Sequence, residues 1–394
     1  MKIGMILDST FPPDPRVENE ALTLIAAGHE VHLFCFSFLK DFKSREIIKG
    51  IQVYRYYCNQ LTYKLSALAY TLPFYHRRLI KPIHKFVLET DINVIHIHDL
   101  QIARAVFNIE SSKRIVLDLH ENRPEIMKYY SHVNSFFGKL LIYPSRWKKF
   151  EFHYISRCDN LIVVTDSAKR YYVSEVHVEP EKIVVVPNTI RQKFYENVIF
   201  DAAITSKYNN TFNLLYLGDT GIRRGTKELV QAIHIVKDTI PNVKLIIVGK
   251  SREDEILRHE VDALKLNEYV ELTGWQNFET FQSYLKVSKI GFSPLHRNIH
   301  HDTTFANKIF QYMSFGLPVV ASDSTAQKEV IEEYNCGLIH KAGNVQEIAD
   351  CIIKLYQDEN LIQELGENGL KGIQEKYNWE STSRELINLY ATLS

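Results

Sequence analysis

Short runs of β-branched and apolar residues alternate with longer amphipathic stretches along the whole chain. That alternation restricts the fold more than any other feature. KIGMILD (2–8), EVHLFCF (30–36), NVIHI (93–97), RIVLDL (114–119), NLIVVT (160–165) and KIVVVP (182–187) read as strands. Between them lie segments of helical periodicity such as VENEALTLIAAG (17–28), which closes on a glycine helix stop. Strand–helix–strand repetition builds parallel sheets covered by helices on both faces. A polar, aperiodic stretch at 191–211 interrupts the pattern. It restarts in FNLLYLG (212–218), VKLIIVG (243–249), YVELTG (269–274), IGFSP (290–294), PVVAS (318–322) and CGLIH (336–340). The prediction is an α/β protein of two tandem doubly wound, Rossmann-like domains. They span 1–190 and 212–375, with 191–211 as linker and helices over 344–375. A last segment, 376–394, carries Trp379, Leu386, Ile387 and Tyr390 and is expected to return to the first domain. At 394 residues, two cores are the expectation.

Charge excludes one function class. The chain has 47 Lys/Arg against 47 Asp/Glu, split as +5 over residues 1–190 and −5 over the rest. A general nucleic-acid binder would be strongly basic, so no nucleic-acid partner is expected. The five cysteines are scattered without a C-x-x-C pair, which points to reduced thiols rather than zinc or disulfides. The N-terminal MKIGMILDST reads as a strand, not a secretion signal, and no run of 18 apolar residues occurs. A cytoplasmic location is the expectation.

Doubly wound domains bind ligands at the carboxyl ends of their strands, and two such domains facing each other there would enclose a cleft. The loops after strands therefore carry the functional reading. LGDTGIRRGTKEL (217–229) combines Gly218, Arg223, Arg224 and Gly225 ahead of a helix, a composition suited to a phosphate or diphosphate. It lacks the G-K-[ST] ending of a P-loop. In PLHRNIHHDTTFANKIFQYM (294–313), Thr303 or Thr304 is expected to cap a helix that holds Asn307, Lys308 and Gln311. Gln311 would either bond a ribose hydroxyl or face solvent. Gly316 and Pro318 then end that helix before PVVAS. In the first domain, LDSTFPPDPRVE (7–18) places Asp14 and Arg16 at a helix start, and HIHDLQIA (96–103) places Asp99 as a helix cap. His96 and His98 share a strand face and read as core or cleft-lining residues, because no third metal ligand follows at a telling spacing. LDLHENRPE (117–125) puts His120 and Glu121 at a strand end, where a histidine is either structural or a proton carrier near neutral pH.

Two stretches, 60–86 and 128–150, are basic, aromatic and free of acidic residues. They are either amphipathic helices with a solvated basic face or a contact to an anionic membrane surface.

Taken in order, RVENEALTLIAAGHEVHLF, IHIHD, VLDLHE, VVVPNTI, LYLGDTGIRRGTKELVQAI and NKIFQYMSFGLPVVASD resemble the retaining glycosyltransferases of family 4, and cover nearly the whole chain. The resemblance implies a GT-B fold, a nucleotide-sugar donor in the second domain and a glycan or lipid-linked acceptor in the first. Cell-surface polysaccharide synthesis at the inner face of the membrane is the implied setting. It implies no cofactor and no metal, since cationic side chains steady the departing diphosphate. His120 and Arg224 are implied as catalytic. Gly218, Arg223, Arg224, Thr303, Thr304, Asn307, Lys308 and Gln311 are implied on the donor, and Asp14, Arg16, Asp99 and Glu121 on the acceptor. Three positions depart from the family pattern: Thr303 and Gln311 stand where many members carry glutamates, and Asp219 where a basic residue is common. Asp302 is the neighbouring carboxylate that could substitute. A nucleotide-sugar epimerase of similar fold, or an inactive sugar-nucleotide or glycan-binding homologue, are the alternative readings.

Overall fold

The structure is a computed structural model that describes residues 1–109, 111–129, 133, 143–196 and 198–393. The chain forms two compact units, Met1–Pro187 with Ser383–Ser394, and Asn188–Thr382.

The first unit is built on eight strands: β1 (Lys2–Thr10), β2 (Glu30–Ser37), β3 (Arg45–Ile48), β4 (Ile51–Tyr57), β5 (Val94–His98), β6 (Arg114–Leu119), β7 (Asn160–Val163) and β8 (Ile183–Val185). They order as β3-β4-β2-β1-β5-β6-β7-β8. Only β3 and β4 pair antiparallel, through a turn at Lys49–Gly50. The order reverses between β1 and β5, which pair Leu7 with His98 at their carboxyl ends. Helix Pro15–Ala26 starts where Asp14 accepts from Val17 N at 3.1 Å and Pro15 fixes the first turn.

The second unit carries β9 (Phe212–Leu217), β10 (Val243–Val248), β11 (Val270–Gly274), β12 (Ile290–Ser293), β13 (Val319–Ser322) and β14 (Gly337–His340). All pair parallel in the order β11-β10-β9-β12-β13-β14. Numbered from β9, this is the doubly wound order 3-2-1-4-5-6, and its switch point lies between β9 and β12. Helices Thr226–Val236 and Val345–Gln357 bury Leu229, Ile233, Ile348 and Ile352 in the core with Leu214 and Leu245.

Two features differ from the sequence reading. Residues 191–211 are not a free linker: they belong to the second unit, where Phe194 and Tyr208 are buried and helix Ala202–Lys207 forms. Two aromatic anchors outweigh a polar composition. The β3–β4 hairpin was not foreseen, although Lys49 and Gly50 both take the positive φ that a tight hairpin turn needs. The final helix, Arg384–Leu393, packs in the first unit, where Leu386 and Tyr390 are buried and the Tyr390 hydroxyl lies 2.8 Å from His96 Nδ1. Trp379 stays in the second unit, with its N–H donating to Ile190 O at 2.8 Å.

Candidate active site

In the second unit, the loops leaving β9 and β12 flank the switch point. Gly218 and Gly225 have φ of 107° and 73°, a region that side chains resist. A Cβ on Gly225 would lie 1.8 Å from Pro294 O, so this glycine lets the two loops touch. Between the glycines, Arg224 Nε lies 3.4 Å and Arg223 Nη2 3.8 Å from Asp219 Oδ2. Lys308 is buried, with its Nζ 3.6 Å from the centroid of the Tyr216 ring. Among the described residues, that Nζ has no hydrogen-bond partner. Burial, and then the Arg224 charge, hold the Lys308 pKa well below its usual value. Burial thus disfavours the ammonium, and an anion bound beside Nζ would restore it. Around it, burial pushes the His301 pKa down to about 3 and that of His300 to about 2, with Arg223 and Arg224 adding to both shifts. His296 donates its ring to Glu228 at 2.9 Å, which raises its pKa.

The helix expected to start at Thr303 or Thr304 starts later. Thr303 and Thr304 lie at the end of a separate short helix, Ile299–Thr303, capped by Asn298. Their hydroxyls donate back to Ile299 O at 2.7 Å and His300 O at 2.6 Å. Bonding to carbonyls four residues back competes with capping, and here it wins. The next helix, Lys308–Met313, has only six residues and begins at an exposed Asn307 that makes no side-chain cap. Its short amide end offers little to an anion. Gln311 is half-buried on it.

In the first unit, the ends of β1, β5 and β6 gather a second constellation. Asp118 is fully buried and accepts from Arg16 Nε at 3.0 Å and Nη2 at 2.8 Å. Arg16 also donates to Val186 O at 3.1 Å and pairs with Glu20 at 2.9 Å. Arg16, expected on the acceptor side, is thus committed to a buried carboxylate pair and is 4% exposed. Asp14 spends one oxygen on its helix cap. His120 Nε2 lies 2.7 Å from Asp118 Oδ2, and its Nδ1 3.9 Å from Asp99 Oδ2. Asp99 makes no side-chain cap, contrary to expectation: φ 67° and ψ 158° turn it out of a capping geometry. That conformation is sparsely populated outside glycine and marks a held residue. Glu121 is half-buried beside His120. His96 and His98 are core residues with stacked rings 4.4 Å apart.

Glu20, His96, His98 and Asp118 bring ligand atoms within 4.8 Å of one another. The spacing would suit a metal, but the Arg16 guanidinium already sits on both carboxylates and supplies the positive charge. A divalent ion there would meet a buried like charge, so we read the cluster as an ion-pair network.

Comparison with known proteins decides the family. The model of Glycosyltransferase Family 4 matches residues 16–193, and that of Glycosyl transferases group 1 matches residues 198–372. The chain belongs to the group 1, family 4 glycosyltransferases. It is 26% identical to the capsular polysaccharide biosynthesis glycosyltransferase CapM of Staphylococcus aureus over 59% of this chain and 61% of that protein. It is 22% identical to a phosphatidyl-myo-inositol mannosyltransferase of Mycolicibacterium smegmatis over 100% of this chain and 94% of that one. The match to CapM thus covers under two thirds of the relative's length. The fold is that of GT-B glycosyltransferases: sucrose-phosphate synthase from Thermosynechococcus elongatus superposes with a TM-score of 0.79 at 18% identity, covering 100% and 99% of the two chains. Anabaena HepE in complex with UDP gives 0.72 at 16% identity, with both chains covered in full.

Among family members the departures at Thr303, Gln311 and Asp219 acquire local meaning. The Thr303 hydroxyl is spent inside its helix. Asp302, the neighbouring carboxylate, accepts from Thr325 N at 2.8 Å and from Arg297 at 3.3 Å, which fastens the short helix Ile299–Thr303 to the start of helix Thr325–Tyr334. Asp219 accepts from Gly221 N at 3.0 Å and faces both arginines. Sequence reasoning missed Glu20, Asp118, Glu228 and His296. The available signal was charge in an apolar frame: Asp118 interrupts RIVLDL, and Glu20 falls on the inward face of its helix.

Proposed function

We propose that this glycosyltransferase moves a sugar, with retention of anomeric configuration, from a nucleoside-diphosphate donor to a hydroxyl of a glycan or lipid-linked acceptor. One observation carries the reading: Arg223, Arg224 and the buried Lys308 Nζ, which has no hydrogen-bond partner among the described residues, converge on the Gly218–Gly225 loop at the switch point of the second sheet. As the bond between the anomeric carbon and the diphosphate oxygen breaks, negative charge grows on the leaving group. Fixed cations in a partly dry site lower that barrier, each contributing on the order of 10²–10³ in rate. The same cations do for a diphosphate what a magnesium ion would, so no metal is required in this reading. Gln311 would bond the donor's ribose hydroxyls, since an amide both donates and accepts. Asp99 and His120 are assigned to the acceptor end. The UDP complex of HepE, and the capsular polysaccharide biosynthesis and phosphatidyl-myo-inositol in the relatives' names, support the donor and acceptor classes.

A membrane-bound acceptor agrees with the side chains exposed along one stretch. Leu61, Tyr63 and Phe74 are exposed, and so are Lys64, Arg77, Arg78 and Lys81. This is the 60–86 stretch. Most of 128–142 lies outside the described residues. Among those described, no helix is long and apolar enough to cross a membrane.

The test is Arg224→Ala, with UDP, GDP and dTDP binding followed by calorimetry and nucleotide release followed with the matching sugar donors. The variant should bind the preferred nucleotide at least ~10-fold more weakly with its circular dichroism unchanged. Equal affinity in both proteins would remove the loop from the donor site. Binding without turnover on any acceptor would favour the non-catalytic homologue.

A further inference from the structure

We propose that Asp118 is a positioning residue: clamped by Arg16, it holds the His120 ring between two carboxylates as an imidazolium, so that His120 serves as a hydrogen-bond-donating cation and not as a base. The inference deepens the transferase reading and rests on it only for what the cation meets.

The geometry carries the argument. Both ring nitrogens of His120 look at carboxylate oxygens, Nε2 at Asp118 Oδ2 across 2.7 Å and Nδ1 at Asp99 Oδ2 across 3.9 Å. A neutral imidazole has one N–H and one acceptor nitrogen, so it would set a lone pair against one of these carboxylates. The imidazolium donates from Nε2 to Asp118 and, across 3.9 Å, is ion-paired rather than hydrogen-bonded to Asp99, which leaves its Nδ1–H available to a ligand. Asp118 cannot turn away. It is fully buried, and the two Arg16 contacts at 3.0 and 2.8 Å fix both oxygens in the fork geometry of a guanidinium–carboxylate pair. Arg16 is itself tied to Val186 O and Glu20. Asp99 is held as well: its N–H donates to Asp118 O at 3.0 Å, which keeps the strained φ of 67°. His120 is thus the outer end of a chain running from Arg16 through Asp118 toward the surface, with 17% of its side chain exposed.

The charged and titratable neighbours come from three elements: Arg16 and Glu20 from helix Pro15–Ala26, His96, His98 and Asp99 from β5 and its end, and Asp118 from β6. The two buried histidines do not compete for the proton. Burial lowers the pKa of both, that of His98 to about 3 with help from His96. Burial also pushes the Glu20 carboxyl up to about 8, in spite of Arg16. For His120 burial disfavours the charge, but Asp118 and then Asp99 outweigh it and hold the pKa at about 9. The sign follows. Below pH 9 the ring carries its proton and can donate to a sugar oxygen. As pH rises through 9 the proton leaves and the donor at Nδ1 or Nε2 is lost.

The experiment is a pH titration of the His120 imidazole by long-range nitrogen–proton NMR on the full chain, with the signal assigned by His120→Gln. The wild type should titrate near 9. Asp118→Asn should move the midpoint down toward 6.5, and Asp99→Asn should move it by a smaller amount. The second variant leaves the buried pair intact and serves if the first does not fold. A wild-type midpoint at or below 6.5, or a midpoint unmoved by both variants, overturns the proposal. Nucleotide release from a sugar donor should fall above pH 9 in the wild type and at lower pH in Asp118→Asn. If the titration behaves as expected while no donor is bound or cleaved at any pH, the transferase reading fails and the role of Asp118 stands.

Discussion

At the scale of residues, the donor reading turns on a lysine kept in an unfavourable place. Lys308 is 9% exposed, and its Nζ has a tyrosine ring for company and no hydrogen-bond partner among the described residues. Burying a charge without full pairing costs several kcal/mol, so such a residue contributes little to stability and persists for another reason. We expect Lys308→Met to bind the preferred nucleoside diphosphate at least ~10-fold more weakly, a loss of about 1.4 kcal/mol, while its melting temperature without ligand holds or rises. Thermal unfolding with and without UDP measures both quantities. A melting temperature several degrees lower with unchanged affinity would make Lys308 a structural residue. Part of this was legible in the sequence. The R-R-G string and the lysine were visible as cations after strands. The burial of Lys308 was not, because its partner ring, Tyr216, lies 92 positions away in the chain.

At the scale of elements, loops and helix ends decide how the site is assembled. Gly225 allows the β9 loop to cross Pro294 O, which starts the β12 loop. Gly225→Ala should therefore lower stability by at least about 2 kcal/mol, from a strained φ of 73° together with a Cβ forced against backbone. Urea denaturation followed by far-UV circular dichroism would show it, and an unshifted midpoint would mean the two loops can part freely. The six-residue helix Lys308–Met313 shows where periodicity misled. Apolar spacing in NKIFQYM marked its face correctly, with Ile309, Phe310 and Met313 buried. Its start was misplaced because threonines cap helices or close them, and the choice depends on which backbone group lies nearer. The β3–β4 hairpin was likewise hidden, since IIKGIQVYRYY offers two short runs and a turn that only pairing with β2 makes into sheet.

At the scale of the whole molecule, charge and exposed apolar groups on 60–86 set one more expectation. The full chain should float with vesicles containing anionic lipid at low salt, and the bound fraction should fall as ionic strength rises toward 0.5 M, since screening shortens the reach of surface lysines and arginines. Absence of binding at low salt would leave Leu61 and Phe74 as ordinary exposed residues. The C-terminal helix belongs to this scale too: it lies in the first unit because Leu386, Leu389 and Tyr390 find burial there, after the chain has passed through the second. Sequence alone determined two parallel-sheet domains and every strand but the β3–β4 hairpin, because strand and helix periods are local and repeat within a few residues. Tertiary structure alone decided which charges meet. Arg16 and Asp118 are 102 positions apart, Asp118 pairs in register with His98, and the two carboxylates beside His120 come from β6 and from the end of β5. Proximity of that kind follows from sheet order and burial, which no local pattern encodes.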